Sequence, residues 1–315
     1  LSPKLLSDPK TAVIVATGLA GAETLENGMR KFYGLKINRI DPLIVPKTMH
    51  AGAACAISIQ YQIKGLCLSV GTGCAASNQS IGLAVQLIRA GVIDRAIVGG
   101  TEASILPAVL KGWEALGALT DDTIRPFSAG RKGILLGEGA GIFVIEKTVD
   151  AEKRGAKPLA YVMGYGTASD AKHMVQPDIN GAITAISSAI KESEVPLEKI
   201  VYCNAHGTGT QLNDPNETKA IKEVFGNHAY SMSISSTKPI HGHLLTACGA
   251  VENIITICAM NDNFAPPTIN YLGFDPECDL DYVPNVGKPL NMDFAISNSF
   301  GFGGLNASIV FGKYK

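Results

Sequence analysis

The most informative stretch of the sequence is Leu66–Gly91, LCLSVGTGCAASNQSIGLAVQLIRAG. Its pattern predicts a strand, a tight turn and a helix in succession, which is the basic unit of an α/β fold. Apolar residues alternate with small or polar ones in its first part, as they do in a β-strand: Leu66, Leu68 and Val70. Its last part carries apolar residues at helical spacing: Ile81, Ala84, Val85 and Ile88. Gly71–Gly73 predicts a turn between them, and Cys74 follows at or next to the first helical residue.

Cys74 occupies a position that suits a nucleophile. Unpaired backbone N–H groups and the positive end of the helix dipole favour the thiolate over the thiol. A tight strand-to-helix turn also pushes the side chain out of the sheet, where a substrate can reach it. The alternative is that Cys74 is one more small buried residue among seven cysteines, and this stretch alone leaves both interpretations open.

Length and composition indicate a compact protein with a large core. The chain has 315 residues, of which 46% are hydrophobic, so it forms either one large domain or two fused halves. Charged residues make up only 17% of the chain, which favours an oligomer. The formal net charge of −1 argues against bulk binding of nucleic acid or of an anionic membrane surface, so an acidic partner requires a local basic patch.

The cysteine pattern predicts a reducing, cytoplasmic setting without zinc. The number of cysteines is odd, and no CxxC or Cys/His metal spacing occurs. The close pair His241 and His243 is too little for a metal site by itself. No apolar run approaches about 18–20 residues, so no transmembrane span is predicted. No signal peptide is recognised; the chain starts at Leu1 without a methionine, and we expect its true N-terminus ahead of that residue.

Strand and helix patterns alternate along the whole chain, which predicts an α/β protein with mixed sheets covered by helices. Around Lys147–Pro158 the composition becomes charged. We therefore predict a boundary between a first half, residues 1–150, and a second half, residues 151–315. The two halves share the alternation without an obvious sequence repeat.

Three loops that follow apolar strands carry the reactive side chains: GTGC at 71–74, NAHGTGT at 204–210 and STKPIHGH at 236–243. Side chains from several strand ends commonly converge on one site in α/β enzymes. A cysteine with two histidines normally suggests a thiol nucleophile and a general base. His206, flanked by small residues in a turn, fits a functional role better than a capping or structural one.

Together these motifs resemble those of the β-ketoacyl-acyl carrier protein synthases, the elongating, decarboxylating branch of the thiolase-like superfamily. The resemblance covers nearly all of the chain and implies a layered αβαβα fold made of two similar halves. The family's opening strand and following helices are expected ahead of Leu1. The motifs occur in order: the Cys74 turn and helix, VGGTEAS (98–104), RPF (125–127), LLGEGAG (135–141), NAHGTGT (204–210), SSTKPIHGHLLTACGAVE (235–252), PPTIN (266–270) and SNSFGFGGLNAS (297–308).

The resemblance makes Cys74 the acyl acceptor, and His206 and His243 the pair that binds the malonyl thioester. Loss of CO2 builds negative charge on the thioester oxygen, and two neutral imidazole N–H donors stabilise such an enolate without a metal. Backbone N–H groups of Cys74 and of the glycine loop near Phe302 are implied as the oxyanion hole. Water must be excluded, since it would hydrolyse the acyl thioester or protonate the enolate.

Further residues take supporting roles by the same resemblance. Lys238 would tune the hydrogen bonding of the two histidines, and Glu252 would support the same loop; a plain salt bridge explains each equally well. Thr208 and Thr210 would hydrogen-bond the phosphopantetheine arm, with simple turn chemistry as the alternative.

Three apolar side chains complete the implied site. Phe302 stands at the position of the family's gate, and Phe300 lies in the same glycine loop, whose glycines would let it swing. Leu19, just after the first strand, aligns with a residue that lines the acyl pocket. Ordinary packing is the alternative for all three.

The implied partner is an acidic acyl carrier protein, which brings phosphopantetheine on its own chain, so no bound cofactor is expected. We expect a homodimer; the alternatives are the catalytic half of a ketosynthase/chain-length-factor heterodimer, or a non-catalytic partner subunit, which would lack Cys74.

Seven basic residues are candidates for a patch that docks the acidic carrier protein, although each is also explained as a solvated charge. The candidates are Arg30, Lys31, Lys36, Arg39, Arg131, Lys132 and Lys172.

Two other enzyme classes, and residues that differ from the usual family pattern, bear on which reaction is expected. A thiolase would need a second cysteine, and an initiating synthase a His/Asn pair, whereas this chain offers two histidines. Several residues differ from the family's usual pattern without touching the Cys–His–His set, and they weaken the case for an ordinary fatty acyl substrate. A specialised type II synthase that makes polyketides or polyenes is therefore a candidate as well. The departures are Gly73, Ser128, Ile134, His241 and Leu305.

Overall fold

The computed structural model describes residues 1–315, which form two mixed β-sheets with helices between and outside them. The strands are β1 Thr11–Ala16, β2 Cys67–Leu68, β3 Arg95–Glu102, β4 Gly139–Glu146, β5 Ala160–Ser169, β6 Ile200–Asn204, β7 Ser233–Ser235, β8 Phe264–Ala265, β9 Lys288–Pro289, β10 Phe294–Gly301 and β11 Leu305–Lys313. The α-helices are α1 Pro3–Leu6, α2 Ala22–Met29, α3 Ile44–Thr48, α4 Gly52–Tyr61, α5 Ala76–Arg89, α6 Pro107–Ala115, α7 Thr148–Lys153, α8 Ile179–Ser193, α9 Asn213–Phe225, α10 Lys238–His241 and α11 Cys248–Asp262.

The two large sheets share a four-strand topology, to which the second sheet adds the edge strand β5. The first has the order β2-β1-β3-β4, with β1 parallel to β2 and β3, and β4 antiparallel to β3. The second has the order β7-β6-β10-β11-β5, with β6 parallel to β7 and β10, and β11 antiparallel to β10 and β5. The first sheet uses strands from residues 11–146 and the second strands from residues 160–313, so the sheets separate where the composition becomes charged.

Helices complete five layers, αβαβα, as the sequence resemblance implied. Helices α5 and α11 lie between the sheets, and α4 packs on the first sheet while α8 and α9 cover the second. The largest apolar cluster joins both sheets through the two central helices: Ile14 of β1, Ile81 of α5, Ile257 of α11 and Ile309 of β11. Burial of this apolar surface, at about 25 cal/mol per Å², holds the two halves together.

The stretch Leu66–Gly91 folds nearly as predicted. Its strand is shorter than the alternation suggested, because β2 is an edge strand that pairs only with β1, over two residues. Cys74 lies in a 3₁₀ turn, Gly73–Ala75, that leads directly into α5. The apolar positions predicted for this helix are all buried: Ile81, Ala84, Val85 and Ile88.

The second half repeats this arrangement around His243. The short edge strand β7 is followed by α10, by the loop that carries His243, and by a 3₁₀ turn, Leu245–Ala247, that leads into α11. Because α5 and α11 lie side by side between the sheets, the segments that enter them are brought together. None of the helices has the length and apolar character needed to cross a membrane.

Candidate active site

Cys74 and the two histidines meet at the entrance to the central helices. The Cys74 Sγ lies 3.5 Å from His243 Nε2, and the imidazole rings of His206 and His243 stand 5.6 Å apart and nearly perpendicular. All three side chains are buried, and one nitrogen or sulfur atom from each lies within 4.8 Å of the others. The structure thus brings together the three residues that the sequence singled out.

The backbone turn before Cys74 depends on a glycine. Gly73 has a φ of +56°, a left-handed conformation that costs a residue with a side chain about 1 kcal/mol or more. Gly301, at the end of β10, passes so close that a Cβ there would lie 3.2 Å from the Cys74 backbone nitrogen. The glycine loop therefore lies against the N–H of Cys74, where the oxyanion hole was predicted.

The hydrogen bonds behind the two rings fix where their protons lie. His243 Nδ1 accepts the backbone N–H of Leu245 at 3.0 Å, and His206 Nδ1 lies 3.3 Å from the Lys238 Nζ donor. Both Nδ1 atoms are therefore acceptors, and each ring carries its proton on Nε2. Leu245 donates from a left-handed backbone with φ +48°, a strained conformation of the kind that concentrates at functional sites.

Cys248 adds a second contact to His243 that the sequence analysis missed. Its Sγ lies 3.3 Å from Nδ1 and accepts the backbone N–H of Leu244 at 3.1 Å. A thiol hydrogen pointed at Nδ1 reinforces the same tautomer. Only the chain position, at the start of a helix after a histidine loop, could have indicated this role.

Cys74, His206 and His243 also form the kind of group that could hold a metal ion. A histidine that ligates a metal through Nε2 has no proton on that atom. In His243 the ring proton would then lie on Nδ1, where it would face the N–H group of Leu245. The positive Lys238 Nζ opposes the same change in His206. The site is therefore built to donate two N–H groups rather than to ligate a metal.

Burial favours the neutral forms of the three side chains at pH 7. Burial and the nearby charge of Lys238 lower the pKa of His206 and of His243 well below the usual value. Burial also raises the pKa of the Cys74 thiol to about 12, although Lys238 works in the opposite direction. The helix terminus was expected to favour the thiolate of Cys74, but desolvation exceeds that effect and favours the thiol.

Lys238 and Glu252 form a fully buried ion pair with an Nζ–Oε1 distance of 2.5 Å. Lys238 also donates to the backbone oxygen of His206. Burial disfavours its charge, but the attraction of Glu252 outweighs this and raises the pKa of Lys238. The pair supplies a fixed positive charge beside His206, in the place the sequence indicated.

Two buried carboxylates that the sequence analysis missed hold the His206 loop. Glu217 accepts the backbone N–H groups of His206 and Gly207, both at 2.8 Å. Asp214 accepts those of Thr208 and Gly209, at 3.1 and 3.2 Å. Burial raises the pKa of Glu217 to about 7. Their spacing in the first turns of α9, just after NAHGTGT, was the available signal.

A cavity of about 250 Å³ opens onto the catalytic groups. Thr208 and Thr210 line it, with their hydroxyls 2.9 Å apart, as do Phe300 and Phe302. Phe300 is buried with its ring edge toward His206, whereas Phe302 is 40% exposed. The predicted pantetheine and gate residues therefore share one space with Cys74.

Other predicted residues lie elsewhere. Leu19 is 44% exposed at the end of β1 and is not among the residues that line this cavity, so its place in an acyl pocket stays a prediction. Arg131 was wrong as a docking candidate: it is buried and paired with Asp275 at 2.5 Å. Among the basic candidates Lys132 lines the cavity, and its side chain is 62% exposed.

Comparisons with known proteins agree with this arrangement. The model of the beta-ketoacyl synthase N-terminal domain matches residues 1–151, and that of the C-terminal domain matches residues 159–272. The chain is 43% identical to Nodulation protein E of Rhizobium meliloti (strain 1021) over 297 residues, which is 94% of this chain and 74% of that protein. It is 38% identical to 3-oxoacyl-[acyl-carrier-protein] synthase 2 of Coxiella burnetii (strain RSA 493 / Nine Mile phase I) over 313 residues, covering 97% of this chain and 76% of the relative.

A solved structure shows the same fold. The ishigamide ketosynthase/chain length factor superposes with a TM-score of 0.95 at 33% identity, over 100% of this chain and 78% of that one.

Proposed function

The chain belongs to the β-ketoacyl synthase family, and from this we propose that it condenses an acyl group held on Cys74 with malonyl-acyl carrier protein. It is an acyltransferase-type condensing enzyme, and the product is a 3-oxoacyl carrier protein that is longer by two carbons. The observation that carries the proposal is a single cavity in which a cysteine thiol faces two imidazoles with their N–H groups on Nε2.

In the first step Cys74 takes the acyl group from a carrier thioester. The sulfur attacks the thioester carbonyl, the bond to the pantetheine sulfur breaks, and the proton of the Cys74 thiol goes to the departing thiolate. The Nε2–H of His243, 3.5 Å away, stabilises the transient Cys74 thiolate. The backbone N–H of Cys74 and the adjoining glycine loop supply the oxyanion hole.

In the second step the malonyl thioester loses CO2. The electron pair of the broken carbon–carbon bond forms an enolate, and the Nε2–H groups of His206 and His243 donate to its oxygen. Burial lowers the pKa values of both histidines, so both rings are neutral. Each ring therefore donates a hydrogen bond from Nε2–H without first releasing a proton. The enolate carbon then attacks the acyl thioester, and Cys74 leaves as a thiolate that takes up a proton. Departure of CO2 supplies the carbanion, so no separate base is required.

The residues around the triad support these steps. Lys238, anchored by Glu252, holds the Nδ1 of His206 as an acceptor. Thr208 and Thr210 are placed to hydrogen-bond the phosphopantetheine arm, and Lys132 at the same cavity is placed to meet an acidic carrier protein. Phosphopantetheine reaches the site on that carrier.

We further propose that two chains associate through the apolar face that residues 19–66 leave exposed. Many large apolar side chains of this segment are exposed, and strand β2, which directly follows it, is at the edge of its sheet. The five most exposed members of the face are Ile59, Val45, Tyr33, Leu35 and Leu43. The partner is a second copy; a chain-length factor is the second candidate, because the ishigamide relative is described with one.

Intact-mass spectrometry tests the reaction. Wild-type protein and Cys74→Ala are incubated with a panel of acyl carrier thioesters, and a single acyl adduct is expected on the wild type alone. His206→Ala is expected to accept the acyl group as the wild type does, whereas His243→Ala is expected to accept it more slowly because it lacks the donor beside Cys74. Both variants are expected to slow release of CO2 from malonyl carrier protein about 10²–10³-fold, the usual cost of losing one such donor.

Two outcomes would oppose the proposal. Acylation of Cys74→Ala would show that another residue is the nucleophile. A folded wild-type protein that accepts no acyl group, and whose mass in solution is that of a monomer, would indicate that the enzyme requires a partner subunit.

A further inference from the structure

Trp113, the single tryptophan of the chain, packs on the gate. Its ring stacks on Phe302 with centroids 5.5 Å apart and an angle of 26° between the planes. Trp113, Phe302 and Cys74 all line the same cavity. The stacked pair is therefore part of the wall that separates Cys74 from solvent.

The glycine loop that carries Phe302 is tied down on its other side. The backbone N–H of Gly303 donates to Met174 at 2.7 Å, and that of Asp170 donates to Gly304 at 2.8 Å. These bonds hold the backbone at the tip of the turn. On the side of the cavity, the Phe302 ring is stacked on Trp113.

Helix α6, which presents Trp113, is itself loosely attached. None of its residues Pro107–Ala115 is buried, in contrast to the nine buried residues of α5. An element with few buried apolar contacts opens at low free-energy cost. Trp113 is therefore well placed to yield when a ligand enters.

The cavity is small for the ligands of the proposed reaction. Pockets that enclose drug-sized ligands measure about 300–1,000 Å³, whereas this cavity measures about 250 Å³. An acyl chain on Cys74 together with an incoming pantetheine thioester needs more space than this. The Trp113–Phe302 pair joins a helix without buried residues to a ring that is 40% exposed, so this part of the wall is suited to move.

We propose that Trp113 is a positioning residue that holds Phe302 closed over acyl-Cys74 and so excludes water until the malonyl donor arrives. The inference rests on the proposed condensation. Without the stack, water reaches the thioester carbonyl, adds its oxygen to the acyl carbon and releases a carboxylic acid and the free Cys74 thiol. Trp113 thereby sets the partition of acyl-Cys74 between condensation and hydrolysis.

The test is to acylate the protein, remove the donor, and follow loss of the Cys74 adduct by intact mass, with and without malonyl carrier protein. Trp113→Ala is expected to raise the ratio of hydrolysis to condensation about two- to tenfold, the factor to which an aromatic pair corresponds. Trp113→Phe keeps an aromatic partner and is expected to stay near wild type. Phe274→Ala removes an aromatic that is 67% exposed and outside the cavity, and serves as the matched control.

Fluorescence gives a second readout, because the protein has one tryptophan. Acylation is expected to shift the emission of the wild type, and Phe302→Leu is expected to lose that shift. An unchanged partition in Trp113→Ala, with its melting temperature preserved, would overturn the inference. Should that variant fail to fold, an unshifted wild-type emission on acylation would overturn it instead. In either case, normal acylation and condensation by the wild type would leave the proposed function intact.

Discussion

At the scale of single residues, burial favours the neutral forms of the groups in the candidate site. Burial lowers the pKa values of His206 and His243 and raises that of Cys74, whereas Glu252 keeps Lys238 positively charged. Donors that are already neutral and already oriented stabilise a developing enolate without reorganisation. The charge that appears during the reaction is therefore the substrate's own.

Glu217 gives this residue-scale picture a pH dependence. Its pKa is raised from 4.5 to about 7, so between these values the folded protein holds a proton that the unfolded chain has lost. The free energy of unfolding therefore falls as the pH rises through this window, by about 3 kcal/mol in all. Glu217→Gln, which cannot ionise, is expected to lack this contribution.

The measurement is urea unfolding of wild type and Glu217→Gln from pH 4.5 to 8. Because burial also lowers the histidine pKa values, which works in the opposite direction, the difference between the two curves is the informative quantity. A constant difference across this range would show that Glu217 does not titrate there.

At the scale of elements, close packing of the central helix against the second sheet explains why small residues recur along α5. A Cβ at Gly82 would lie 2.4 Å from the ring of Tyr165 in β5, which is itself buried. The helix and the strand come from different halves, so this contact sets the distance between them. A larger residue at this point would push the halves apart.

Gly82→Ala is therefore expected to destabilise the protein by about 1–3 kcal/mol, the usual cost of overpacking a core. Gly112→Ala is the matched control, since a Cβ there meets nothing within 4 Å and alanine favours the helix by up to about 1 kcal/mol. Thermal unfolding of both variants checks the prediction. Equal melting temperatures would mean that the contact between α5 and β5 is not restrictive.

At the scale of the whole molecule, we propose that the exposed apolar side chains of residues 19–66 pack against a second copy of the chain. Ile59 of α4 is 71% exposed although it is apolar and lies beside the edge strand β2. Burial of one such side chain contributes about 1.5–3 kcal/mol, and a symmetric dimer buries it twice. Among single substitutions, those of exposed apolar residues in this segment are therefore expected to weaken the dimer most.

Ile59→Lys is expected to weaken the dimer at least about tenfold, measured as the concentration at which light scattering reports half monomer. Val286→Lys changes an equally exposed residue outside this face, at 77% exposure, and is expected to leave the dimer unchanged. A dimer that survives Ile59→Lys at low concentration would place the interface elsewhere.

The alternation of strand and helix patterns predicted the α/β class, and the resemblance to a known family implied the layered fold and the roles of Cys74, His206 and His243. Apolar periodicity is a local property, so the turn at Cys74 and the buried face of α5 could be predicted from a short stretch. The order of many motifs identified the family, and position along them assigned Lys238 and Glu252. These features are written in neighbouring residues or in their sequence order.

The protonation states of Cys74 and Glu217, and the contacts around the site, became evident from the tertiary structure alone. Burial depends on every layer that covers a group, so neither the pKa of Cys74 nor that of Glu217 follows from a local pattern. The contact of Trp113 with Phe302 joins positions 189 residues apart in the chain (302 − 113). Long-range packing of this kind is encoded by the whole fold, and no single stretch of sequence contains it.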